Sequence, residues 1–531
     1  MRPAPGDDLS THRVANQPPD AGDRDFWADD PALRALTRAP ELAAYGALMG
    51  RDAMRRAGQA ANRFPPELHG FDQHGRRLDE VTFHPAWHQV MQASMAAGYH
   101  AVAWQAGGSH AQHAAMVYLA SQTEPGHCCP LTMTYAAHPL LADLPDWQAG
   151  ALSRDYDPRV LPAPEKRGLT LGMAMTEKQG GSDVRANTTR AERDGAAWRL
   201  TGHKWFCSAP MSDGFLTLAQ TPDGLSCFLV PRWLPDGRNG IRLMRLKDKL
   251  GNRANASAEI EYDRALALPV GAQGCGLRTI VAMVHHTRLD TAMAPAGLMR
   301  AALRDAFHWA AHRSAFQKRL IDQPLMRAVL ADLVLDWLGS LTLGMAVAAS
   351  FDGTAPEDRA FARIGVALAK YMGNKLCPLV VAEAMEVLGG MGYVEETGLP
   401  LLYREAPLNG IWEGSGNVIC LDLLRSLSRD PLCRDVLAAR LAASRGVLAD
   451  YDAALADWQS RWSDLPTEAE ARQFAEQTAL LLTAAVLVAG GHALAPAFIR
   501  TRLMQGRGRM AGAIPAGMAD AVLAEDLFSR D

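Results

Sequence analysis

The chain is poor in the features that would assign it to several large classes of protein. No Gly-x-Gly-x-x-Gly follows a strand-like run, and there is no GKS or GKT loop, so a Rossmann dinucleotide site and a P-loop NTPase are disfavoured. Its eight cysteines are scattered, with only Cys128-Cys129 adjacent, and show neither the CxxC…CxxC spacing of a zinc site nor the density of a disulfide scaffold. They read as reduced, mostly buried thiols. His127-Cys128-Cys129 and His285-His286 are adjacent rather than spaced as ligands, so no metal is expected. The N-terminal MRPAPGDDLSTHRVANQPPD lacks an apolar h-region, which makes the cytoplasm the expected compartment. The apolar run from Ala479 to Gly490 is short of the ~18 to 20 residues that span a bilayer, so it reads as a buried helix and no membrane span is expected. Charge of one sign is missing too: 54 basic and 58 acidic residues leave a formal −4, too little to draw the whole molecule to nucleic acid or an anionic membrane. Either partner would need a local patch.

What is present is an ordinary globular composition, 48% hydrophobic and 21% charged over 531 residues, enough for a large core and three or four domain-sized units. The first ~25 residues are too polar to form a helix with a buried face, so they wrap the surface or stay loose. From Asp25 to about Leu161 apolar residues recur at three- and four-residue spacings, the helical period. Near Arg167 the texture changes. TTRAERDGAAWRLTGHKWF reads as two strands about Asp194-Gly195, and the same hairpin logic recurs at TPDG and PDGRNG. Roughly 100 residues thus form an antiparallel sheet or barrel ending at SAEIEYDRALAL. After GAQGCG the helical period returns, and beyond Asp430 another ~100 residues remain helical. The fold class is α+β: residues 1–170 an N-terminal extension and helical domain, 171–275 a middle antiparallel β-domain, 276–429 a helical domain, and 430–531 an additional C-terminal helical region.

Four segments carry possible chemistry. In MTEKQGGSD, Met175 to Asp183, Gly180 and Gly181 let the backbone approach a ligand while Thr176 and Ser182 offer hydroxyls; a surface turn of small residues has the same composition. In NGIWEGSGN, Glu413 lies beside Trp412 and before a Gly-Ser-Gly bend. A carboxylate desolvated by an aromatic neighbour gains a raised pKa and can act as a base, whereas a solvated acid of a first helical turn is the plain alternative. The helix ALRDAFHWAAHRSAFQKRL carries Arg313 and Phe316 three residues apart, hence on one face, a pair able to meet a phosphate and a flat ring; a surface arginine on a packed helix serves as well. In MEVLGGMGY, Gly389-Gly390 is expected C-cap chemistry.

Together these segments resemble a family. MTEKQGGSD is similar to the TEPxAGSD flavin loop of acyl-CoA dehydrogenases, KLGNRANASAEIEY to their KLGxRxSxTxE strand pair, AHRSAFQKRL to their R-x-x-F-G helix and IWEGSGN to their YEGT segment, in order and in register from about Glu165 to Arg425. The resemblance is closer still to the AidB-type branch, flavoproteins of the adaptive response to DNA alkylation, through NQPP, RRLDEVTFHPAWH, PLTMTYAAHPLL, GHKWFCSAP, LKDKLGNRANAS and LYREAPLNGIWEGSGNVICLDLLR.

The resemblance implies bound FAD, with Glu413 as the base that removes the α-proton of an acyl-CoA. It also implies flavin contacts from Met175, Thr176, Gly181, Ser182, Phe206, Cys207 and Ser208, and a lining from Ile411, Trp412, Gly414, Ser415, Gly416 and Asn417. Arg313, Phe316, Gly389 and Gly390 would reach FAD across a subunit interface, in a homotetramer. The chain departs from the family at Gln317, Glu386 and Ser415, where a glycine, a glutamine and a threonine are usual. The AidB branch further implies weak dehydrogenase turnover and backbone-directed, salt-sensitive binding of double-stranded DNA through the C-terminal region. From Asp430 onward there are 10 arginines, no lysine and 13 acidic residues, yet Arg500, Arg502, Arg507 and Arg509 cluster, with Arg425 and Arg429 nearby in sequence. Three functions follow: a DNA-protecting flavoprotein, a conventional acyl-CoA dehydrogenase for a short or branched chain, or a binding module with a structural flavin.

Overall fold

A computed structural model of the chain describes residues 6–504, 506–515 and 517–529. Residues 6–25 form no helix and wrap the surface. Asn16 Nδ2 donates to Ser314 O at 2.8 Å, the Arg313 guanidinium donates to Asn16 O at 2.8 Å, and Arg55 reaches Gly22 O.

The N-terminal helices are α1 (Pro31–Leu36), α2 (Pro40–Gly50), α3 (Asp52–Arg63), α4 (Pro85–Ala97), α5 (His110–Ser121), α6 (Cys128–Ala137) and α7 (Pro145–Leu152). The helical period of this region conceals a hairpin, β1 (Glu67–Phe71) and β2 (Arg77–Thr82). Its turn is local chemistry: the Asp72 carboxylate accepts from the backbone of His74 and Arg76, and Gly75 takes φ +79°.

The strands β3 (Leu171–Ala174), β4 (Arg190–Asp194), β5 (Ala197–Ser208), β6 (Gly214–Thr221), β7 (Gly224–Pro231), β10 (Ile241–Leu246) and β11 (Ser257–Val270) form one seven-stranded sheet, with a small ladder, β8 (Trp233–Leu234) and β9 (Gly237–Arg238), in the connection. Strand β7 pairs with both β6 and β11, which closes β11, β5, β4, β6 and β7 into a ring. The Asp194-Gly195 hairpin forms as its sequence implies, pairing Asp194 with Ala197 and placing Gly195 at φ +63°. The sheet is not wholly antiparallel, because β3 runs parallel to β6. A crossover through the 175–189 loop and the β4–β5 hairpin joins them, and a crossover delivers a parallel strand.

Helices α8 (Gly276–His312), α9 (Pro324–Asp352) and α10 (Pro356–Val387) form the second helical layer, followed by α11 (Leu399–Glu405) and α12 (Gly416–Arg429). The spacing argument that put Arg313 and Phe316 on one helical face fails. Helix α8 ends at His312, and the two residues lie on a hairpin, β12 (Ser314–Ala315) and β13 (Lys318–Arg319). Phe316 and Gln317 form its tip at φ +52° and +61°, and Asn16 binds both the N–H and the carbonyl of Ser314. The C-terminal region adds α13 (Pro431–Ala442), α14 (Ala449–Arg461), α15 (Ala471–Ala489), α16 (Ala495–Phe498) and α17 (Met518–Leu523). The apolar run from residue 479 lies in α15 and is buried. Helix α9 is long and apolar enough to cross a membrane, and 89% of that apolar window is buried inside the molecule.

Three cores result. One runs through all the helical parts, from Phe26 to Phe528. The second fills the barrel around Phe215, Phe228 and Tyr262. The third is the seam between barrel and helices, built on α6, β6, β7 and the start of α8, and both Met175 and Trp412 pack against it. All eight cysteines are free and all but Cys275 are buried.

Candidate active site

Glu413 lies in the short loop between α11 and α12, two residues before the Ser415 cap of α12. Its backbone is left-handed at φ +56° and is followed by Gly414 at +101°. Such a conformation costs a non-glycine residue about 1–3 kcal/mol, so the surroundings must hold it. They do so from two helices. From α8, Thr287 Oγ1 donates to the Glu413 carboxylate at 2.6 Å and Arg288 Nε donates to the Glu413 carbonyl at 3.1 Å. From α10, the Lys370 ammonium donates to the carbonyls of Asn409, Trp412 and Gly414 at 2.6, 3.0 and 3.1 Å. The Trp412 indole N–H closes the loop on Asn409 Oδ1 at 2.7 Å.

Burial pushes the Glu413 carboxyl above the ordinary carboxylate value, and the Thr287 hydrogen bond and the charges of Lys370 and Arg288 oppose that shift. Burial lowers Lys370 to about 7 against the pull of Glu413. Arg288 also binds Asp422 at 2.6 Å, and Arg363 binds both oxygens of that carboxylate. Although burial pushes Asp422 up, Arg363 and Arg288 hold it at about 2, so it stays anionic and fixes Arg288.

The loop after β3 faces the same seam. Its brace is Glu177, fully buried, which accepts from Lys204 Nζ at 2.9 Å and from the backbone of Thr188 and Thr189 at 2.6 and 3.0 Å. Burial raises Glu177, but Lys204 and those N–H groups bring it down to about 2. Gly180 takes φ +123°, where any side chain is strained, and a Cβ on Gly181 would lie 2.5 Å from Thr176 Oγ1 and displace that hydroxyl. Gly181 and Ser182 are exposed and Thr176 is half-buried. At the end of β5, Phe206 is exposed and Ser208 half-buried on one face, while Cys207 points into the barrel core and can offer a ligand only its backbone. Burial drives the Cys129 thiol up to about 12, with a Ser208 hydrogen bond opposing and the Glu413 charge adding to it. Cys129 therefore lies between the end of β5 and the Glu413 loop.

Other predicted residues lie apart from this seam in the single chain. Phe316 is 95% exposed at its hairpin tip, and Arg313 is held by Asn16 and stacks over Trp309. Gly389, at φ +60°, ends α10 as a left-handed cap, and both it and Gly390 are exposed. Ile411, Ser415 and Asn417 are exposed, and Gly414 and Gly416 half-buried.

The arginine cluster divides. Arg425, Arg429, Arg500 and Arg509 are exposed. Arg502 and Arg507 turn inward: Arg502 bonds Asp332 and Asp336 at 2.8 and 2.7 Å, and Arg507 approaches the same pair at 3.4 and 3.3 Å. A buried carboxylate pair on α9 requires these cations, so they are not part of an exposed basic surface.

Sequence reasoning missed Thr287, Arg288, Lys370, Glu177 and Lys204. A lone lysine in the apolar run VALAKYMG was the available signal for Lys370, since a charge on the buried face of a helix needs partners.

Comparison with known proteins follows the same division of the chain. Residues 16–158 match the family described as adaptive response protein AidB N-terminal domain, 172–265 the acyl-CoA dehydrogenase middle domain and 274–428 the acyl-CoA dehydrogenase C-terminal domain. AidB of Escherichia coli (strain K12) is 46% identical over 89% of this chain and 90% of its own length. The fold is similar to that of Caenorhabditis elegans ACDH-11 in complex with C11-CoA, with a TM-score of 0.83, 26% identity, and coverage of 96% of this chain and 93% of that one. An acyl-CoA dehydrogenase from Bacillus anthracis complexed with FAD shares the fold at a TM-score of 0.65 and 15% identity, over 83% of this chain and 82% of that one.

Proposed function

The chain belongs to the acyl-CoA dehydrogenase family as an AidB-like, FAD-dependent oxidoreductase, and from that premise we propose that it takes an acyl-CoA thioester whose α-proton is removed by Glu413. The observation that carries the reading is the Glu413 carboxylate itself, desolvated, bonded to Thr287 and fixed at the seam between barrel and helices. The residues present fit a flavin. An exposed aromatic ring at Phe206, the hydroxyls of Thr176, Ser182 and Ser208, and open space above Gly180 suit a flat ring with a polar edge and a diphosphate. FAD bound there supplies the acceptor for the β-hydride. Glu413 receives the α-proton, Thr287 orients its carboxylate, and Trp412 lies against the seam and limits access of water.

The test is flavin bleaching by a panel of short and branched acyl-CoAs under anaerobic conditions. The Glu413→Gln variant is expected to keep its FAD absorbance and to bleach about 10²–10⁴-fold more slowly. Bleaching at the wild-type rate would overturn the assignment of the base.

The likeness to AidB extends the proposal to double-stranded DNA, bound through phosphate contacts in the cytoplasm and protected there from alkylation, with weak dehydrogenase turnover. What supports it is the match of residues 16–158 to the adaptive response protein AidB N-terminal domain and the 46% identity to AidB over 89% of the chain, together with the exposed Arg425, Arg429, Arg500 and Arg509. A labelled duplex titrated at two salt concentrations should bind more weakly at high salt, and reversing these four charges should abolish binding. Arg507 is unsuitable for that test, because its reversal disturbs the Asp332–Asp336 pair. No duplex binding by the wild type at low salt would leave a conventional acyl-CoA dehydrogenase. A homotetramer belongs to the same reading. The exposed Phe316, with Tyr393 83% exposed beside the Gly389-Gly390 turn, suits a subunit interface, and light scattering on Phe316→Asp would test it.

A further inference from the structure

We infer that Lys370 is the positioning residue of the base, holding the Glu413 loop in its left-handed turn and, while protonated, supplying one of the two charges that face the carboxylate. The inference rests on the acyl-CoA dehydrogenase reading and deepens it. Lys370 is 1% exposed in the middle of α10, and among the described residues its ammonium makes no bond to a carboxylate. An ammonium has three protons, and all three go to carbonyls of one loop, those of Asn409, Trp412 and Gly414. The carbonyl between the last two, that of Glu413, is taken by Arg288. Successive peptide carbonyls at 412, 413 and 414 therefore converge on two cations from two helices.

The left-handed turn at Glu413 and Gly414 is what makes these carbonyls converge. Buried and unpaired, each would cost about 1–3 kcal/mol, and the loop would relax to point them at water. Relaxation would carry the carboxylate away from Thr287. Arg288 alone cannot prevent it, since it binds one carbonyl and is itself anchored to Asp422. The groups facing the Glu413 carboxyl are Lys370 from α10 and Thr287, Arg288 and Asp290 from α8. Lys370 is thus one of two cations that offset the burial of this acid.

The test uses the full-length flavoprotein carrying Lys370→Met or Lys370→Arg, with FAD content and melting temperature measured first. Hydrogen–deuterium exchange of residues 409–416 needs no reaction, and in Lys370→Met it should accelerate at least tenfold in this loop while the barrel is unchanged. With the acyl-CoA that bleaches the wild type fastest, kcat should fall about 10²-fold with little change in KM, the cost of a displaced catalytic group. The acid limb of the rate profile should move to higher pH in Lys370→Met and return in Lys370→Arg, which keeps the charge. The rate should not return, because a planar guanidinium cannot meet the three carbonyls. Unchanged loop exchange, an unchanged acid limb in Lys370→Met, or loss of all soluble flavoprotein in both variants would overturn the inference, the last because it would make Lys370 a requirement of the fold. If Glu413→Gln bleaches like the wild type while the loop exchange still rises, the positioning stands and the choice of base fails.

Discussion

At Glu413, burial and hydrogen bonding push in opposite directions, and burial is the larger. In the proposed reaction the active form is the carboxylate, so activity should rise with pH through a limb that lies above the ordinary carboxylate value. Thr287→Val removes the hydroxyl that favours the charged form while keeping its shape, so the limb should move to still higher pH, and the pH dependence of flavin bleaching checks this. Tryptophan beside the base was readable as a desolvating neighbour. The hydroxyl and the two cations that set the balance were not, because Thr287, Arg288 and Lys370 come from helices distant in sequence.

Among elements, the C-terminal segment after α16 is fastened to α9 by two arginines over two buried aspartates, with the backbone N–H of Gly512 also donating to Asp332 at 2.9 Å. Removing one partner leaves an uncompensated charge in a dry site. Arg502→Ala should therefore cost about 3–5 kcal/mol, read by urea unfolding, and should speed proteolysis between 499 and 515. The hairpin after α8 shows how an element boundary escapes a periodic reading. Residues three apart share a face only while the helix continues; here it stops at His312, Phe316 lies in the two-residue turn itself, and Asn16, far away in sequence, holds the hairpin by binding Ser314. The Asp194-Gly195 hairpin was legible because its turn chemistry is contained in two adjacent residues.

Over the whole molecule, the helical layers enclose a cluster of histidines and aromatic rings, in which Trp104, His110, Tyr135, His286 and Phe351 contact one another. Burial lowers His110 to about 3 and the nearby His100 to about 4, and it lowers His138, His285 and His286 as well. The unfolded chain takes up these protons near pH 6.5, where the folded protein does not, so it binds more protons in the interval below. The histidines' contribution to stability should hold above about pH 6.5 and fall as the pH drops from there toward about 3, opposed in part by buried acids such as Glu405, which burial raises to about 7. Melting temperatures across that range check the sign, and His110→Gln should flatten the dependence.

The sequence by itself determined the order of helices, barrel and helices, the turn residues that join the strands, and the two segments proposed to carry the flavin loop and the base. All of these depend on local periodicity or on neighbouring residues, which the chain states directly. Tertiary structure alone decided the parallel entry of β3, the cations that hold Glu413, the inward turn of Arg502 and Arg507, and the seam where the loops meet. Each of these is a meeting of residues far apart in the chain, and only the packing of α8, α9 and α10 against one another and the barrel brings the partners within reach.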